Sequence, residues 1–156
     1  MASLIDRSKW GIVFYGSTAS PLPTYVDVNG QTQTAVQLVN ATKVFMDPAI
    51  ESAYFHVGSA TRVSFLVEIG NISEEGDGCD LGVEGQFTGE ADSEWPGVAT
   101  FRNDDQETKA VHTFAAEGSY LLQTGNLGAV PTGRIATTPN LTDGEDMEII
   151  VYMRAE

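Results

Sequence analysis

The side chains best suited to acid–base, nucleophilic or metal chemistry in this 156-residue chain are His56, His112, Cys79 and twenty-two Asp and Glu. A nucleophilic triad needs a base oriented beside its nucleophile, and no Gly-x-Ser-x-Gly elbow is present. His56 lies between Phe55 and Val57 and His112 between Val111 and Thr113, each inside an expected strand, where an imidazole ordinarily fills a structural role. No spacing joins either histidine to Cys79 or to carboxylates as a metal set. Cys79, between Gly78 and Asp80, has acidic neighbours that raise a thiol pKa instead of activating it. As the only cysteine it also excludes an intrachain disulfide. A glycosidase pair could converge only through the fold, and the sequence singles out no two carboxylates for it. No catalytic set is expected.

Ligand chemistry has two candidates. Hard cations want several oxygen ligands on pliable backbone, and Glu74-Glu75-Gly76-Asp77-Gly78-Cys79-Asp80 has that composition, with Asp77 and Asp80 the residues to hold a calcium ion. It lacks the spacing of an EF-hand, so a solvated acidic turn is the competing account; Asp143-Gly144-Glu145-Asp146 is a weaker second segment. Trp95, in Ser93-Glu94-Trp95-Pro96-Gly97, could stack on a sugar or anchor an interface, although such a residue more often folds back on its own domain. Glycine clusters followed by Lys-Ser/Thr, or opening a helix, would mark a phosphate cradle. None occurs. Three Asn-x-Ser/Thr triplets, at Asn40, Asn71 and Asn140, read as chance in a Thr-rich chain.

The elements that must position these residues are strands. Trp10 to Tyr15 is an apolar run; Tyr25-Val26-Asp27-Val28 meets Asn29-Gly30, a strong hairpin signal, and returns through Thr34 to Val39. From Thr61 to Ile69, Val63, Phe65, Val67 and Ile69 share one face. Pro48 to Ala53 could form one helical turn. Asn71 to Asp80 and Glu90 to Pro96 read as acidic loops, Leu81 to Thr88 as a strand weakened by Gly82 and Gly85, and Asn103-Asp104-Asp105 as a turn. Val98 to Phe101, Thr108 to Phe114, Ser119 to Gln123, Arg134 to Thr138 and Asp146 to Arg154 complete the set, with a break at Pro139-Asn140. In the last strand both faces are largely apolar, which places it centrally or at an interface. Short strands with turn signals every ~8–12 residues predict an all-β, two-sheet antiparallel sandwich, jelly-roll-like first and immunoglobulin-like second. One domain is expected over 10–156, behind an N-terminal arm at 1–9.

Composition removes several functions. Hydrophobic residues make up 42% of the chain, too many for disorder. The formal net charge of −14 opposes a phosphate backbone and an anionic membrane alike. No apolar segment approaches the roughly 20 residues of a membrane span, and the start has no basic region ahead of an apolar run, so synthesis in the cytoplasm is expected.

An acidic, disulfide-free sandwich whose strands include Thr61 to Ile69, Gly118 to Gly125 and Glu145 to Met153 resembles the decoration, or cement, proteins of tailed-bacteriophage capsids. The resemblance implies a non-enzymatic virion protein on the outer capsid surface, made in the host cytoplasm. It would act as a homo-oligomer, a trimer before a dimer, that strengthens contacts between major-capsid subunits and needs no cofactor. Ile150 and Tyr152, with Trp10 and Trp95, are the expected interface residues. The alternative is a carbohydrate-binding or receptor-binding jelly-roll module, calcium-dependent if the acidic loops hold the ion.

Overall fold

The computed structural model describes residues 10–28, 30–46, 55, 62–72, 76–86, 95–124, 132–142 and 145–155. The arm at 1–9, the turn expected over Pro48 to Ala53, His56 and the acidic segment Glu90 to Glu94 lie outside the described residues. Among the described residues fourteen strands follow one another: β1 Gly11–Ser17, β2 Thr24–Val26, β3 Thr32–Thr34, β4 Val36–Gln37, β5 Val44–Phe45, β6 Val63–Gly70, β7 Gly78–Gln86, β8 Gly97–Val98, β9 Thr100–Arg102, β10 Glu107–Lys109, β11 Val111–Phe114, β12 Gly118–Thr124, β13 Thr132–Asn140 and β14 Glu148–Ala155.

They form a sandwich, as the strand pattern predicts. The larger sheet runs β10-β9-β12-β6-β14-β1-β4; the smaller runs β11-β7-β13-β5, with β8 continuing beside β7, and β2-β3 form a separate pair. Among the named strands pairing is antiparallel except for β1 with β4, and a single parallel bridge joins Ile12 to Asp27. Alternation decides which side of each strand is buried. In β14, Met147 just ahead of it, Ile149, Val151 and Met153 point inward; in β6, Val63, Phe65, Val67 and Ile69 do so, meeting Cys79, Leu81 and Val83 of β7 and Ile135 of β13. Burying each large side chain contributes about 1.5–3 kcal/mol. Ring contacts cross the core: Phe114 of β11 meets Tyr120 of β12 with centroids 4.8 Å apart, and Phe55 meets Phe65 at 5.6 Å.

Three local expectations change. The acidic loop ends before Gly78, because Gly78, Cys79 and Asp80 already pair with Asn140, Pro139 and Thr138. Of the two glycines, Gly82 and Gly85, that made β7 look weak, Gly82 lets it sit close to its neighbour, since a Cβ there would stand 2.5 Å from the Ala110 carbonyl oxygen; Gly78, at the start of the strand, does the same, since a Cβ there would run into the carbonyl oxygen of Phe114. Pro139 and Asn140 belong to β13 instead of breaking it. Pro139 lacks a donor, but its carbonyl accepts from the Ala41 amide at 2.9 Å, and β5 pairs only farther back, at Ala136 and Thr137. The hairpin return also divides. Ala35 is buried and its amide bonds to Pro23, so Thr32–Thr34 stay with β2 while Val36–Gln37 turn away to join β1.

Candidate functional site

The sequence-selected aromatic and apolar residues separate onto two surfaces. Trp10, Ile150 and Tyr152 lie on the outer side of the larger sheet. Register fixes their neighbours, since directly paired residues point the same way. One row across four strands reads Leu121, Leu66, Tyr152 and Ile12; the next reads Ser119, Glu68, Ile150 and Tyr15. Every member of the first row is half-buried, as are Glu68, Ile150 and Tyr15 in the second. Ahead of them, Gln123, Ser64 and Arg154 form another row, in which Gln123 Nε2 donates to Ser64 Oγ at 3.2 Å and the Arg154 guanidinium lies 4.9 Å from the Trp10 ring centroid. The face is therefore apolar in its middle.

Its opposite end is acidic. Glu68, Glu117 and Glu148 border a groove of about 470 Å³ floored by Gly70 and Ile150. Glu148 accepts from the Tyr15 hydroxyl at 2.9 Å; burial first, and then this bond, push that phenol up to about 12. Glu117 accepts from the Ile72 amide at 2.8 Å. Glu68, half-buried on the central strand β6, has no bonding partner among the described residues. Pattern reading passed over these three carboxylates because they come from segments far apart in the chain. The available signal was Glu68 and Glu148 standing on the solvent side of otherwise apolar alternations.

Trp95 is elsewhere. On the outer side of the smaller sheet the Arg134 guanidinium lies 4.3 Å from the Trp95 ring centroid and 3.9 Å from that of Phe45, while its Nε donates to Glu84 at 2.9 Å. Lys43 reaches the same Glu84 carboxylate. A face of the indole is thus occupied by a cation from its own chain.

Asp77 and Asp80 have different surroundings. Asp77 is buried and accepts from the amide and hydroxyl of Thr142, at 3.2 and 3.1 Å, tying the start of β7 to the end of β13. Asp80 is exposed and accepts from Thr113 Oγ1 of β11 at 2.6 Å. Among the described residues no three His, Cys, Asp or Glu side chains stand together in a way that could hold a metal ion.

His112 is buried between the sheets. Its Nε2 lies 2.9 Å from the Thr100 carbonyl oxygen, which can only accept, so that nitrogen carries the proton; Nδ1 has no hydrogen-bond partner among the described residues. Cys79 is buried on the inner side of β7 and its thiol is pushed up to about 11, by burial first and then by the Asp80 carboxylate, against the opposing Thr137 hydrogen bond and Arg102 charge. Cys79, itself only 2% exposed, borders a pocket of about 330 Å³ with Asp80, Thr113 and Thr138.

Comparison of the chain with models of known protein families, with curated proteins and with solved structures gives no match.

Proposed function

We propose that this chain is a non-catalytic structural protein of a virion, a capsid decoration protein that acts as a homo-oligomer and strengthens contacts between major-capsid subunits. The observation that carries the reading is the outer face of the larger sheet. It presents Leu121, Leu66, Tyr152 and Ile12 as a continuous row on half-exposed strands, and a rigid sheet face with an apolar centre and a polar rim is the anatomy of a protein-docking surface. Tyr152 and Trp10 supply the large, stiff aromatic groups that dominate such contacts. A sugar-binding role gains less support, because Trp95 already stacks on Arg134.

Purified particles, stripped of the protein and incubated with it again, should recover it at regular capsid positions, with light scattering of the free protein giving an oligomer. A strict monomer that sediments apart from every capsid preparation would sink the proposal.

A further inference from the structure

We infer that the occupant of the outer face is a foreign protein segment that is apolar at its centre and carries lysine or arginine at one end, and not a second copy of this chain. The inference rests on the docking role proposed above and names the chemistry of its partner. Three carboxylates, Glu68, Glu117 and Glu148, close one end of the apolar row. Glu148 and Glu117 have intrachain donors, while Glu68 is half-buried beside Ile150 with none among the described residues. A carboxylate partly removed from water on a central strand is stabilised by an arriving cation, and the pair strengthens as docking excludes solvent.

A second copy is the poorer source of that cation, because, of the rows described, a twofold contact would bring to the three carboxylates only its Arg154, which already stacks on Trp10. Each copy brings a formal charge of −14, so two faces meeting would set like fields against each other. Basic groups placed around apolar side chains on a partner would complement the row and its acidic end together.

The test uses the full chain with two synthetic ten-residue probes, one alternating valine with lysine and one alternating serine with lysine. Binding is followed by amide chemical shifts and by titration calorimetry. The valine–lysine probe is expected to bind about tenfold more tightly than the serine–lysine probe, with shifts confined to β6, β12 and β14. Glu68→Gln, which keeps the side-chain shape, should weaken it about fivefold. Glu148→Gln and Glu117→Gln are second and third variants should the first lose its fold. Equal binding of the two probes, shifts on the smaller sheet, or indifference to all three variants would overturn the inference, as would dimers of the unmodified chain formed through this face. A chain that binds the valine–lysine probe here but is absent from particles defeats the virion reading alone. A chain found on particles with Glu68→Gln retained as firmly as the parent defeats this inference alone.

Discussion

At the scale of single residues, the buried polar groups hold the fold to one arrangement. Asp77 accepts two hydrogen bonds from Thr142 in a buried position. Asp77→Ala should therefore lower stability by about 1.5–3 kcal/mol, the net contribution of hydrogen bonds to a charged acceptor, as read from a shifted urea midpoint with an unchanged slope. No loss would show that the bond between β7 and the end of β13 is dispensable. Cys79 gives a pH prediction. Its thiol is raised from an ordinary 9.0 to about 11 when folded, so the unfolded chain releases this proton first. The stabilisation is complete below about pH 9 and is lost as pH rises toward 11, with Tyr15 and Tyr25, whose phenols are also raised, adding in the same direction. Denaturant midpoints should fall across that window. Iodoacetamide at pH 8 should leave folded Cys79 unmodified and label it in urea; rapid labelling of the folded protein would contradict the burial.

At the scale of elements, the most legible strands were those with one wet face. The alternation of Val63, Phe65, Val67 and Ile69 located β6, and the doubly apolar pattern of β14 allowed a central place or an interface, of which the fold shows the central place, between β6 and β1. The start of β7 was hidden because Gly78 and Gly82 carry no side chain to alternate, and their reason for being there is a neighbouring backbone that only the folded state supplies. The end of β13 was hidden because Pro139 signals a break unless its missing donor has nowhere to bond. The docking face was half legible. Ile150 and Tyr152 were evident from one strand, whereas their juxtaposition with Leu66, Leu121 and Glu68 depends on register between strands about fifty to eighty positions apart. Trp95 was readable as a large aromatic but not as the lid over Arg134. That cation joins β13, β5 and β7 by stacking and by its bond to Glu84. Lysine keeps the charge but loses the planar fork, so Arg134→Lys should cost about 1–2 kcal/mol and leave Trp95 more open to acrylamide quenching. Unchanged quenching would place the indole on some other support.

At the scale of the whole molecule, charge is the dominant variable. Several of the cations are matched internally: Lys43 and Arg134 with Glu84, Arg102 with Asp104 and Asp105, and Lys109 with Glu107. The surplus of carboxylates therefore repels across the surface. Raising salt from about 0.01 M to about 1 M shortens the screening distance from about 30 Å to about 3 Å. The thermal midpoint should rise by several degrees over that range. A midpoint that falls would mean that attractive pairs outweigh the net field.

The pairing of β1 with β14 also sets a clock. Gly11 lies opposite Met153 and Ser17 opposite Glu148, so the long edge of β1 waits for residues more than a hundred positions later to leave the ribosome. Until then β1 has β4 as a two-residue neighbour, and β6 lacks one of its two partners. Contacts so remote in sequence close slowly, and unpaired strand edges invite aggregation meanwhile. The nascent chain meets that interval with an excess of negative charge that begins only after residue 50, since 1–50 carry three acidic and three basic side chains and 51–100 carry ten and one; that later stretch keeps neighbouring copies on a polysome apart while the sheet is still open.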